Sequence, residues 1–362
     1  MAHWLRRLVG RAVRAARRAA DALSGPLPSP PVDPTRQRYI ERKGFIITDL
    51  IVAALPAAER FTILDGGALG ALSDPRWQVF AGRTRIYGFE PNAEAVETLN
   101  ATVRERGLDH RYVAGALWSA PGTLTFHANK AGGGGSFYPQ NVDLTDRWKF
   151  ENTREKFYAR DMFYPTGTES WTMTSVDHWA RGLAEPLDID FIKLNVQGAE
   201  LEILRGAESV IDRTIGVMVE MSFVESYKQR PFFADIDRHL RDRQLSFFDF
   251  IGHHCVGRAA SPITAQHLPG LYPLYGQLIE GHGVYFRDPI DMVARGLSID
   301  HLSGLKLLKL VAFAETFGQI EYAFELLLWL GALLEQRGDG AGASLARDIA
   351  ARAEQLYLKY LA

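Results

Sequence analysis

Three stretches place acidic, amide and glycine residues where short apolar runs end, the edge at which open α/β sheets bind their ligands. The first is Ile63-Leu64-Asp65-Gly66-Gly67-Ala68-Leu69-Gly70, an apolar run entering a glycine-rich turn. Glycine lets backbone come close to a ligand. An acid at Asp65 suits a cationic cofactor such as S-adenosylmethionine better than a pyrophosphate, which prefers bare backbone N–H groups. Asp65, Gly66, Gly67, Ala68 and Gly70 are therefore the expected cradle, with a purely structural turn as the alternative because such a turn alone is a weak signal. The second stretch, Ile86-Tyr87-Gly88-Phe89-Glu90-Pro91-Asn92, ends a run on a carboxylate. Glu90 can accept from both ribose hydroxyls of a nucleoside cofactor, and Pro91 opens the next helix with φ already set. This feature serves NAD and S-adenosylmethionine equally; a solvated glutamate at a strand end is the alternative. The third stretch is Asp190-Phe191-Ile192-Lys193-Leu194-Asn195-Val196-Gln197-Gly198-Ala199-Glu200-Leu201-Glu202-Ile203-Leu204-Arg205-Gly206-Ala207. A buried strand ending near Asn195, a glycine turn, and a helix facing the sheet through Leu201 and Leu204 would hang Asn195 and Glu200 over the reacting group. An acid in the first turn of a helix is also favoured by the dipole alone.

A transfer to an alcohol oxygen requires that the hydroxyl lose its proton to a positioned base. The amide of Asn195 cannot take one. The candidates are Glu200, His253, His254 and His282, the histidines lying near the ends of late apolar runs. His253-His254-Cys255 resembles a ligand set, but neighbouring strand residues point to opposite faces and cannot readily share an ion. No bound metal is expected.

The elements that must position these groups follow from the alternation of short apolar runs with helical stretches, which marks βα units and a parallel sheet. Strands are expected at 61–64, 85–90, 111–117, 189–194, 216–221, 245–251 and 283–286, giving a doubly wound, Rossmann-like sheet of seven strands. A helix is expected over 39–55. Between the third and fourth strands, about 70 residues are too many for a plain connection. Gly132 to Gly135, Ser136, Phe137, Tyr138, Phe163, Tyr164 and Trp171 suit a lid over the acceptor or a packed satellite core. Thr174 or Ser175 is expected to cap a helix starting near Val176. After Asp288 the pattern turns helical, with Leu305, Leu308, Val311 and Ala312 on one face and a turn at Gly338, Gly340 and Gly342. The expected organisation is 1–35 as a basic helix and Pro-rich linker, 36–290 as the α/β domain, and 291–362 as a helical extension.

The 362 residues are 47% hydrophobic and 23% charged, ordinary for a folded globular chain. A net charge of -2 gives no general attraction to nucleic acid, and none is expected as a partner. Cys255 is the single cysteine, which excludes an intrachain disulfide and suits a reducing cytoplasm. Within 1–25, Arg6, Arg7, Arg11, Arg14, Arg17 and Arg18 fall on one side of a helix, opposite Leu5, Leu8, Val9, Ala12, Val13, Ala16 and Leu23. Such a helix can lie on an anionic membrane surface at its inner face or on a protein partner, or remain a solvated helix.

The sequence resembles the FkbM-type methyltransferases over about 61–288. The resemblance rests on Asp65 to Gly70, Phe89-Glu90-Pro91, Ala116-Leu117 before Pro121-Gly122, and the block from Phe191 to Ala207. It continues through Val219-Glu220, Pro231-Phe232-Phe233, Asp235-Ile236-Asp237, Gly276-Gln277 and Tyr285-Phe286-Arg287-Asp288. It implies a class I methyltransferase fold, S-adenosylmethionine as cofactor, and methylation of a hydroxyl on a sugar, glycolipid or natural product. It also brings Lys193 into the catalytic set and Ala116 and Leu117 into the cofactor set. Members typically carry Asp where this chain has Asn195, so another base is needed or activity is reduced; Asn195→Asp is expected to raise the transfer rate. Glu280-Gly281-His282-Gly283 replaces what is often an acidic segment. Two other readings stay open. One is a cofactor-binding interaction module with little or no activity, and the other a nicotinamide-dependent reductase, which Asp65 and the lack of a full G-x-G-x-x-G disfavour.

Overall fold

The computed structural model describes residues 45–80, 82–130, 134–151, 156–158, 163–262 and 276–361. The basic helix and linker expected over 1–35 lie outside these residues. Of the helix expected over 39–55, the described part is Ile46–Ala54.

The strands are β1 Phe61–Gly66, β2 Thr84–Glu90, β3 His110–Ala114, β4 Ala116–Leu117, β5 Gly122–Asn129, β6 Trp148–Glu151, β7 Lys156–Tyr158, β8 Pro165–Thr174, β9 Phe191–Leu194, β10 Gly216–Ser222, β11 Ser246–Arg258 and β12 Gln277–Phe286. Among the described residues, the main sheet runs β3-β2-β1-β9-β10-β12-β11-β6-β7. β1, β2, β3, β9 and β10 are parallel, and β12 is antiparallel to both β10 and β11. The seven expected strands are all present, in the order of a class I methyltransferase sheet. The insertion adds β6 and β7 at the edge beside β11.

Several boundaries differ from expectation: β11 runs on to Arg258 instead of ending at 251, and β12 begins at Gln277 instead of 283, because the two strands pair with each other along that length. The third strand was expected to run through 111–117, but the chain leaves the sheet after Ala114. The N–H of Gly115 donates to the carbonyl of Glu90, while Ala116 and Leu117 pair with Met173 and Thr174 in a second sheet, β4-β8-β5. The helix after β2 begins at Ala93, not at Pro91, because the Asn92 side chain caps it by accepting from the Ala95 N–H at 3.0 Å. Ser175 caps the helix Val176–Ala180.

Alternation along the strands sorts the core into two layers. Phe61, Ile63, Ile86, Phe191, Met218, Val284 and Phe286 pack on one face with residues from the helices Ile46–Ala54, Gly304–Thr316, Ile320–Gln336 and Gly340–Leu361. Leu64, Ile192, Leu194, Val217, Val219, Met221 and Tyr285 pack on the other, against the helices Glu200–Arg205, Glu208–Ile211 and Phe233–Asp242. The C-terminal helices thus supply one of the two layers that cover the sheet. Glu315 fastens them: its carboxylate accepts from the backbone N–H groups of Ile47 and Thr48 at 2.9 and 2.6 Å and from the Tyr357 hydroxyl.

Candidate functional site

The parity that buries Ile63, Phe191, Met218 and Val284 on one face continues to the carboxyl edge of the parallel strands. There it places Asp65, Lys193, Glu220 and His282 on that same face. Asp65 is level with Lys193 in the β1–β9 register, and Glu220 with His282 in the β10–β12 register.

Asp65 was expected to meet a cofactor's positive charge. It is 0% exposed, and its Oδ1 accepts from Lys193 Nζ at 2.7 Å. Lys193 Nζ also donates to the Gly67 carbonyl at 3.3 Å. Burial outweighs the attraction of Lys193 and pushes the Asp65 carboxyl up to about 6, while Oδ2 has no partner among the described residues. The pair therefore stiffens the turn from beneath. The turn is packed closely on the chain after β9: a Cβ at Gly67, whose φ is +78°, would stand 2.3 Å from the Asn195 carbonyl oxygen, so only glycine fits there. Ala68 is buried and Gly70 is exposed.

Across this turn, Glu90 is buried at the tip of β2. Oε1 accepts from the Asn92 N–H at 3.0 Å, and Oε2 has no partner among the described residues. Burial raises its pKa above the ordinary value. An acid held at one oxygen and free at the other, at a parallel strand tip, fits the ribose end of a nucleoside cofactor. Pro91 is exposed. Ala116 and Leu117 are buried in the second sheet, one residue beyond the Gly115 contact with Glu90.

On the acceptor side Asn195 Nδ2 lies 3.2 Å from His282 Nε2, as for an amide N–H donating to an unprotonated ring nitrogen. His282 is shifted below the usual histidine value by burial, and next by Arg76. Gln197 Nε2 donates to Asn195 Oδ1 at 3.3 Å and reaches both oxygens of Glu220 at 3.4 and 3.2 Å. Gln197 Oε1 accepts from the Tyr227 hydroxyl at 3.1 Å. Asn195 and His282 are thus brought together. Glu200 is not with them: it is buried and turned back on its own helix entry, accepting from the N–H groups of Val196 at 2.9 Å and Gly198 at 2.8 Å. His253 is exposed on β11, and His254 is paired with Glu280 at 2.7 Å.

Gln197, Glu220 and Tyr227 were not singled out from the sequence. Glu220 did leave a signal, an acid inside the apolar run Val217-Met218-Val219-Glu220-Met221, since a fully buried acid is rare unless it is paired or functional. Gln197 has φ 58°, a left-handed conformation uncommon outside glycine. Its carbonyl accepts from the Ser136 hydroxyl at 2.6 Å, and the Tyr227 hydroxyl donates to the Gly134 carbonyl at 2.7 Å. The described part of the insertion therefore docks on this turn. Its aromatic residues pack mainly on each other, with Phe126 stacked on Trp171 at 3.9 Å and Phe137 edge-on to both.

Residues 71–247 match the family model for the methyltransferase FkbM domain. Solved structures with a similar fold include a methyltransferase FkbM from Methylobacillus flagellatus, at 11% identity, covering 63% of this chain and 44% of that one, with a TM-score of 0.34. The match thus spans less than half of that protein. Others are a magnesium protoporphyrin IX methyltransferase from Synechocystis with bound SAM, at 11% identity, 70% and 82% coverage and TM-score 0.31, and Aeropyrum pernix fibrillarin with natively bound S-adenosyl-L-methionine, at 12%, 66% and 76%, and 0.28. No curated protein matches the sequence. No helix among the described residues is long and apolar enough to cross a membrane.

Proposed function

We propose that the chain uses S-adenosylmethionine to methylate a hydroxyl of a small-molecule or glycan acceptor, a sugar, glycolipid or natural product. The observation that carries this reading is Glu90, a buried carboxylate at a parallel strand tip with one oxygen held by Asn92 and the other free. Gly66, Gly67 and Ala68 would hold the rest of the donor, with Asp65 and Lys193 fixing their turn from below. When bound, the donor supplies a methyl group on a sulfonium, already a good leaving group. What remains for the protein is to align the acceptor oxygen, exclude water and accept a proton. His282, neutral near pH 7 and facing Asn195, is the group we assign to accept it; Asn195 orients the imidazole and the acceptor. The arginine-rich face of 1–25 would add a contact with an anionic membrane surface or a protein partner, and the sole cysteine suits a cytoplasmic protein.

Calorimetry with S-adenosylmethionine tests the reading directly. Glu90→Ala is expected to weaken binding by roughly 10- to 150-fold, the range for a lost hydrogen bond to a charged group, while the unfolding midpoint stays put. Undiminished affinity would move the donor away from the β1–β2 edge. The amide at Asn195 favours a second reading, a cofactor-binding interaction module. If the donor binds but its labelled methyl never reaches any component of glycan or lipid extracts, that second reading wins.

A further inference from the structure

Glu220 is 2% exposed in a strand buried along its whole length, yet its hydrogen bonding is poor. Its partner among the described residues is one amide nitrogen, Gln197 Nε2, at 3.2 and 3.4 Å. The nearby cations attract it without bonding to it: Lys193 is bonded to Asp65 at 2.7 Å, and Arg230 to the Ser226 hydroxyl at 2.9 Å while lying over the Tyr227 ring. Burial first, and then repulsion by Glu280 on β12 and Glu200 after β9, hold its carboxyl well above the usual carboxylate range. A buried acid so served needs either a proton or a better donor.

The register shows where that donor would come from. Leu194 is level with Val219, and Glu220 with His282, so Asn195, Glu220 and His282 form a row across β9, β10 and β12. The side chains of the two outer residues meet at 3.2 Å although β10 lies between their strands. With Gln197 bonded to both Asn195 and Glu220, they close over the carboxylate. Gln197 holds this arrangement from a left-handed backbone, a conformation that persists only where its surroundings impose it.

We propose that Glu220 is the anchor for the acceptor: hydroxyl groups of the acceptor replace the long Gln197 contact with short O–H···O⁻ bonds, parting Asn195 from His282. Because Glu280 and Glu200 stand beside it, the acceptor is a polyol, neutral or cationic around the reacting hydroxyl, and one with a carboxylate or phosphate there is repelled. This rests on the methyl-transfer reading of the site, and sharpens it to a charge class of substrate.

The test loads the full chain with S-adenosylhomocysteine and measures, by saturation-transfer NMR, the binding of methyl glucoside, glucosamine, glucuronate and glucose 6-phosphate. Calorimetry of the homocysteine compound is run alongside: its failure to bind would fault the donor site, separately from the acceptor question. Methyl glucoside and glucosamine are expected to bind at least about tenfold tighter than the two anions. Glu220→Gln should lose about tenfold toward methyl glucoside, and should still bind the homocysteine compound. Glu280→Gln keeps the anchor and should narrow the gap between neutral and anionic sugars; it decides the charge question even if the first variant folds poorly. Equal or tighter binding of glucuronate, unchanged binding by Glu220→Gln, or no sugar bound to the loaded chain would each overturn the proposal.

Discussion

Both ends of the parallel sheet bury a carboxylate, with opposite results. At the amino end Asp190, 1% exposed, accepts from the Thr62 N–H at 2.8 Å and lies 2.9 Å from Lys309 Nζ and 3.2 Å from Lys306 Nζ. The two lysines are shared in turn with Glu59 and Asp188. At the carboxyl end Glu220 is equally enclosed, but it has one amide nitrogen for company and two acids nearby. The first arrangement is what buried charge requires for stability, since every member has a partner. The second is what a site requires, a group whose needs are met when something binds. The amino-end network also joins the helix Gly304–Thr316 to the sheet, which makes the C-terminal helices a structural layer of this unit.

The contrast breaks most visibly in stability. Asp190→Ala would leave Lys306 to Asp188 and Lys309 to Glu59 alone and the Thr62 N–H without its acceptor, and is expected to cost about 1–3 kcal/mol in urea or thermal unfolding. Glu220→Gln, which removes a buried acid with no bonded counter-ion among the described residues, should change stability by less than about 1 kcal/mol or raise it. Equal losses at the two positions would remove the distinction between a satisfied and an unsatisfied end.

How far the sequence could be read follows the same division. The strands were legible because their apolar runs have a parallel-sheet pattern, and Glu90 was legible because it ends one of them. The ion pair of Asp65 was not legible because Lys193 is 128 residues away in the chain, and only the β1–β9 register brings them level. Glu200 could be judged only from the backbone it caps, and Gln197 only from its φ. The break after Ala114 was hidden because 111–117 is apolar enough for one strand; the second sheet that captures Ala116 and Leu117 is assembled by β8, some 50 residues later.

Asp65 and Lys193 stand between the two ends, a buried acid with a single counter-ion. The pH dependence of this pair has an unusual sign. A carboxyl raised from 3.8 to about 6 keeps its proton in the folded state longer than in the unfolded chain, so it lowers stability as pH rises through that window and by a constant amount above it. Lys193→Met removes the larger attraction that holds the carboxyl down, leaving that of Arg76, and extends the window upward. The variant is expected to melt lower than the parent at pH 8 and to recover much of the difference by pH 5. A deficit independent of pH would show that Lys193 acts through packing alone.

The smallest effect is the most informative about chemistry. His282 is held below the usual histidine value by burial, then by Arg76, His254 and Lys193, with Glu280 opposing. It is therefore neutral through pH 7, and transfer should fall only as pH drops below the ordinary histidine range. Asn195→Asp sets a carboxylate where an amide now lies 3.2 Å from Nε2, which favours the imidazolium and raises the His282 pKa. Transfer should then be lost at higher pH than in the parent, while above that point the more basic imidazole transfers faster, so the two profiles cross. Nitrogen-15 NMR of the imidazole reads the same shift before any acceptor is in hand. A His282 titration that ignores the substitution would mean that the Asn195 contact does not set the protonation of this ring, and the base would have to be sought at Glu220.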